Sequence, residues 1–158
     1  MKTQFILPLI LFSFLLFSCK GSKNLQSSSS KVKSGKLVKP TLQNSNAFKL
    51  FGISEDGTYG YSEKNPIKVG GATNSEGPKN EQRYLNALAG PNGEEISYKR
   101  LGSCCAFKTE NGFMGGGLLD RYEVKWKGGK KPVIIFINMY DMDDKELKAP
   151  KGLTLNEL

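Results

Sequence analysis

The chain has 158 residues, with 23 basic and 15 acidic side chains, a formal charge of +8 and no histidine. Without histidine, Ser-His-Asp and Cys-His catalysis within one chain is excluded, and so are histidine-bearing zinc sites. The charge does not mark a nucleic-acid binder. Seven lysines precede residue 41, and residues 41–158 hold sixteen basic against fifteen acidic side chains, with no basic patch legible on one element.

Lys2 is followed by a mostly apolar run from Phe5 to Phe17 that contains Pro8. At about thirteen residues it is shorter than the ~20 needed to cross a bilayer core. A basic start and a short apolar run predict a secretory signal peptide over residues 1–18. It ends in Leu16-Phe17-Ser18-Cys19. This resembles the lipobox of bacterial lipoproteins, with Leu three residues before the cysteine and a small residue just before it; Phe17 is bulkier than the commonest form. The resemblance implies cleavage before Cys19 and lipidation of Cys19 as the new N-terminus. Several acyl chains on one residue anchor it stably, where a single chain does not. Lys20 stands where an Asp signals retention at the inner membrane in lipoproteins. The implied location is the periplasmic face of the outer membrane of a Gram-negative bacterium.

Residues 19–46 read as the lipidated cysteine and a Lys/Ser-rich tether, with Ser27-Ser28-Ser29-Ser30, several lysines and no acid. Sparse aliphatics leave too little apolar surface to repay ordering. A flexible chain of that length spans ~30 Å root-mean-square.

Residues 47–158 read as one domain. Ala47-Phe48-Lys49-Leu50-Phe51-Gly52-Ile53 predicts a first strand, and Glu55-Asp56-Gly57 a turn. Pro66-Ile67-Lys68-Val69 predicts a short strand opening on proline. A helix begins at Gly77-Pro78, with proline at its first position, and Gly90-Pro91 ends it. Tyr84, Leu85 and Leu88 form its apolar face; Lys79, Glu81, Gln82 and Asn86 read as outward. Residues 95–107 form a long extended segment in which Ile96 and Tyr98 share one parity and Leu101, Cys105 and Phe107 the other. That change of phase predicts a bulge near Arg100 to Gly102. Tyr122, Val124 and Trp126 alternate with charged residues, the period of a strand with one wet face. Gly128-Gly129 suits a type I′ hairpin turn, which needs positive φ at both positions. Val133-Ile134-Ile135-Phe136-Ile137 predicts a central strand. The fold class is α+β: a small antiparallel sheet with a C-terminal three-strand meander and one helix on one face.

Several groups are candidates for chemistry. Cys104-Cys105 lie in an oxidising compartment. They form either a vicinal disulfide or two small residues filling a strand. A disulfide there joins Cα atoms ~3.8 Å apart, below the usual range, and is readily reduced. Gly115-Gly116-Gly117 offers bare amides to an anion but lacks Walker spacing, so a hairpin loop is the plainer reading. Asp141, Asp143, Asp144 and Glu146 lack the spacing of a calcium loop and read as a solvated strand end. Lys99, Arg100, Asp120, Arg121 and Glu123 read as cross-strand charge pairs. Tyr59, Tyr61, Phe113 and Tyr140 are candidates to line a groove, though single aromatics at sheet edges usually pack. No catalytic residue, metal ligand or cofactor motif is legible.

The runs Tyr59-Gly60-Tyr61-Ser62-Glu63-Lys64-Asn65-Pro66-Ile67-Lys68-Val69-Gly70-Gly71, Gly77-Pro78-Lys79-Asn80-Glu81-Gln82-Arg83-Tyr84-Leu85, Gly102-Ser103-Cys104-Cys105 and Ala149-Pro150-Lys151-Gly152 resemble a family of small bacterial lipoproteins. Its members are often carried under the name 2-dehydro-3-deoxyphosphooctonate aldolase. The resemblance covers residues 57–153. The name implies a lyase, but that aldolase is a TIM barrel, which takes ~250 residues, and no active-site residue carries over. The leading expectation is a lipid-anchored envelope protein with a non-catalytic domain, whose partners are the membrane through its lipid and another envelope protein or a cell-wall polymer. The alternative is an enzyme, either an aldolase-like lyase using a lysine or a thiol-redox activity at Cys104-Cys105.

Overall fold

The computed structural model describes residues 38–157. The predicted leader over residues 1–18 and Cys19 lie outside them, as does most of the tether. In chain order the elements are β1 (Leu42–Asn44), β2 (Ala47–Phe48), β3 (Ile67–Lys68), α1 (Gly77–Asn86), β4 (Leu88–Ala89), β5 (Ile96–Lys108), β6 (Gly116–Trp126), β7 (Val133–Asn138) and β8 (Thr154–Leu155). The protein is α+β.

The predicted meander is the frame. β5, β6 and β7 pair antiparallel in sequence order, with Tyr98 opposite Val124 and Tyr122 opposite Ile135. β7 is central, as its apolar run predicts: β6 pairs on one side and β3 on the other. The β3–β7 pair is parallel, however, with Ile67 beside Ile137. The sheet is therefore mixed, not wholly antiparallel. Parallel strands need a crossover, and α1 lies within the connection from β3 back to the sheet.

Tyr84 and Leu85 of α1 and Leu88 of β4 bury into one cluster with Tyr122, Val124, Ile135 and Ile137 of the sheet. Each such Leu or Ile taken from water contributes about 1.5–3 kcal/mol. The helix stops at Asn86, before Gly90-Pro91, because Leu88 and Ala89 leave it to pair with β8.

Four expectations shift. The first predicted strand shrinks to Ala47–Phe48 and pairs with β1, so folded structure starts ahead of residue 47. The turn after β6 is not type I′: Gly128 takes φ 85°, but Gly129 is not in the positive-φ region. Glu81 is fully buried; it belongs to the i, i+3, i+4, i+7 set with Tyr84, Leu85 and Leu88. Finally, the polar stretch after Tyr140 returns to the core. Leu147, Ala149 and Leu153 are buried, Tyr84 Oη donates to Lys148 O at 2.8 Å, and Ala149 bridges Ile53.

Candidate functional site

A polar chain crosses the domain from the helix to the surface of β5. Its origin is the bulge. Arg100 stands opposite Tyr122 and Gly102 opposite Arg121, which leaves Leu101 as an extra residue. Residues three apart in a regular strand point to opposite faces. The extra residue brings Arg100 and Ser103 to one face, where both reach Asp120. Arg100 Nε and Nη2 donate to the two carboxylate oxygens at 2.7 Å each, and Ser103 Oγ donates to Oδ1 at 2.7 Å. The fork is bidentate and charge-assisted, the strongest form of such a pair. Burial opposes the charge on Asp120, which is 2% exposed, but the Arg100 and Ser103 hydrogen bonds hold its carboxyl below the ordinary range.

The Asp120 and Glu81 carboxyls are close enough for each to perturb the other's titration. Tyr122 Oη donates to Glu81 Oε2 at 2.8 Å. Taken as a charged acceptor, Glu81 leaves Oε1 buried without a partner. Carrying a proton, the same carboxyl becomes a donor to Asp120, and the orphan disappears. Burial, with the Asp120 charge adding to it, pushes the Glu81 carboxyl up to about 8. The pair thus divides its roles by environment, one carboxyl ionised and its neighbour protonated at neutral pH.

A second bulge follows at once. Cys104 is opposite Leu119 and Ala106 opposite Leu118, so Cys105 is the extra residue, at φ 55°. Cys104 and Cys105 are joined as a disulfide. Both are half-buried, and β5 is the edge strand of its sheet. Ser103, between the two bulges, connects the disulfide to the carboxyl pair.

A groove of about 410 Å³ opens at the other side of α1, lined by Asn74, Asn80, Arg83, Asn111, Tyr140 and Met142 among others. Arg83 Nη1 donates to Asn80 Oδ1 at 2.8 Å, and Nε to Ser45 O at 3.2 Å; Glu76 Oε1 lies 3.5 Å from Nη1. Asn80 Nδ2 in turn donates to Gly70 O at 3.1 Å. The guanidinium is thereby fixed before anything enters the groove. Lys39 and Pro40, where the tether joins the domain, also line it.

The remaining candidates separate. Asp141 accepts from Thr109, Asn111 and Asn138 and serves the end of β7. Burial opposes its charge, but these hydrogen bonds hold the carboxyl below its usual range. Among the described residues no three Asp, Glu, Cys or His side chains gather as metal ligands. Gly116 and Gly117 begin β6, and Gly117 packs against Phe107 and Tyr140. Of the expected charge pairs, Arg100 with Asp120 forms; Glu123 pairs instead with Lys125 at 2.5 Å, and Arg121 Nε is buried without a partner. The tyrosines do not converge: Tyr140 lines this groove, Tyr59 another, and Tyr61 Oη donates to Lys151 O at 2.9 Å. Phe113 is 87% exposed at the β5–β6 tip.

Glu81 and Arg83 were missed from sequence. Their signal was spacing: Glu81 lies three before Tyr84 and four before Leu85, and Asn80 and Arg83 form an i, i+3 pair. The four runs that carry the family resemblance lie close together in space. Gly60 packs against Ile67 and Pro150, Tyr61 reaches Lys151, and Glu81 meets the Asp120 that holds Ser103. Among the described residues no helix is long and apolar enough to cross a membrane. The chain matches no family model, no curated protein and no solved structure.

Proposed function

We propose that the chain is a lipid-anchored envelope protein whose α+β domain binds a partner non-covalently in the groove beside α1. The observation that carries this is the place of the groove: Lys39 and Pro40, at the root of the tether, form part of its lining. The occupant then lies near the membrane, within reach of the segment that joins Cys19 to the domain. The leader and Leu16-Phe17-Ser18-Cys19 supply the anchor. Arg83, held by Asn80 and Ser45, supplies a fixed cation, and Tyr140 and Met142 supply apolar area. A few placed polar groups in a mostly preformed cleft are the usual make-up of a binding site. Another envelope protein or a cell-wall polymer is the class of partner this arrangement suits.

The test has two arms. Mass spectrometry of protein extracted from membranes is expected to find a chain starting at acylated Cys19; an uncut leader on cytosolic protein overturns the anchor. A photo-crosslinking residue at position 111 is expected to capture a discrete envelope partner, and Arg83→Ala to abolish that product. A product unchanged by Arg83→Ala overturns the groove as the binding surface. The rival lyase reading predicts a lysine trapped by borohydride with carbonyl compounds. The expected result is an unchanged mass.

A further inference from the structure

We infer that Cys104 and Cys105 are a reversible dithiol–disulfide site that takes two electrons from a dithiol donor. The inference rests on β5 and its clamp to Asp120 of β6, and is independent of the groove.

A disulfide stabilises a fold chiefly by closing a loop in the unfolded chain, and the effect grows with the number of residues enclosed. This one joins sequence neighbours and encloses no loop. As a staple it does almost nothing. Its Cα atoms are 3.8 Å apart, the span of a single trans peptide, whereas unstrained disulfides prefer about 4.4–6.8 Å. Strained and accessible disulfides are the labile, regulatory or catalytic ones.

The backbone points the same way. Cys105 is the extra residue of a bulge and holds φ 55°, a conformation that a residue with a Cβ rarely adopts. Backbone strain of this kind persists where the surroundings over-determine it. Here the surroundings are specific: Ser103, the preceding neighbour of the pair, is clamped to Asp120 and Arg100. The clamp holds one end of the ring in place, and the half-buried pair sits on the edge strand of the sheet.

The chemistry is thiol–disulfide exchange. A donor thiolate attacks one sulfur of the pair, the Cys104–Cys105 bond breaks, and a mixed disulfide forms. The released sulfur takes a proton. The donor's second thiol, losing its proton, attacks the mixed disulfide and releases the other protein sulfur, which is protonated in turn. The donor ends as a disulfide, oxidised by two electrons, and the protein as a dithiol, reduced by two. Two protons pass from the donor thiols to Cys104 and Cys105.

The experiment uses the native full-length protein and reads residues 101–108, a single tryptic peptide that carries both cysteines. Protein is incubated with dithiothreitol and then with maleimide, without denaturant. The untreated peptide is expected to carry no tag and the treated peptide two. Re-oxidation with oxidised dithiothreitol or oxidised glutathione is expected to return it to none. The reduced protein is further expected to bind phenylarsine oxide across both sulfurs with loss of water; Cys104→Ser and Cys105→Ser each abolish this. A pair that opens only in denaturant overturns the proposal, as does a pair of thiols that oxidised glutathione fails to close. If the single variants unfold, the wild-type tag count still decides.

Discussion

Tyr122 Oη on β6 donates to Glu81 Oε2 on α1 at 2.8 Å, a hydrogen bond between fully enclosed side chains that ties the helix to the middle of the sheet. Its acceptor is a carboxyl whose pKa stands at about 8, raised by burial and by the neighbouring Asp120. The consequence is a dependence of stability on pH. In the unfolded chain the Glu81 carboxyl ionises around 4.5. Between these values the folded state keeps a proton that the unfolded state releases. The stabilising contribution is complete below about pH 4.5, falls as pH rises toward about 8, and levels off beyond, at a slope of at most about 1.4 kcal/mol per pH unit. Asp143, also raised by burial, acts with the same sign as pH rises from about 3.8. Asp120 and Asp141, both lowered, act with opposite sign at more acid pH. Denaturant midpoints measured from about pH 5 to pH 9 are expected to fall in the wild type and to flatten in Glu81→Gln, which carries no titrating group there. An equal slope in the two proteins sinks this assignment.

Removing the donor has a different signature. Tyr122→Phe leaves Glu81 Oε2 buried without its hydrogen bond, at a cost of about 1–3 kcal/mol. The Tyr122 hydroxyl opposes the rise in the Glu81 pKa, so its loss moves that pKa higher. The pH at which stability levels off is expected to shift upward in the variant. A variant that loses stability with no shift has lost packing alone.

The Arg100–Asp120 fork is partly open to water on the arginine side, with 48% of the Arg100 side chain exposed and 2% of the Asp120 side chain. Breaking a fully buried pair costs about 3–5 kcal/mol; solvent on Arg100 reduces that to about 2 kcal/mol for Arg100→Ala. Asp120→Ala also removes the acceptor of Ser103 and the partner of Glu81, so it is expected to cost more than Arg100→Ala. The double variant is expected to be less destabilised than the sum of the two, because each single variant already breaks the shared fork. Urea titration of the four proteins closes the cycle. Additive losses count against the coupling.

The parts of the fold that were legible from sequence are those whose pattern is local. Tyr122, Val124 and Trp126 alternate, and Val133 to Ile137 is continuously apolar; both became strands with the expected neighbours. The bulge at Leu101 was legible because hydrophobic parity breaks there. What was not legible depends on partners far along the chain. Glu81 reads as a surface charge until Tyr122 and Asp120 are placed over it. Leu147, Ala149 and Leu153 are isolated apolar residues among charges, with neither period. Their burial follows from β8 pairing with β4 and from Ala149 meeting Ile53. The direction of β3 was hidden for the same reason, since two residues, Ile67 and Lys68, carry no sign of which way their partner runs. Of the site, the cysteine pair was visible as a motif, whereas Arg83 in the groove was not, because its role comes from Asn80 and Ser45.

Gly71 links the fold to the groove in a way that a single methyl group tests. It holds φ 105°, and a Cβ there would fall on Nδ2 of Asn80 and press on the backbone at Gly77, where α1 begins. Gly102 holds a similar φ of 111° with open space around it. Both alanine substitutions incur backbone strain of about 1–3 kcal/mol. Gly71→Ala must in addition displace Asn80, which orients Arg83 through the 2.8 Å hydrogen bond. The expected outcome is a larger drop in urea midpoint for Gly71→Ala than for Gly102→Ala, together with loss of the crosslinked product at position 111 in the first variant and its retention in the second. Equal midpoints and equal crosslinking in the two variants would mean that Asn80 is free to move and that Arg83 is not held in place for a ligand.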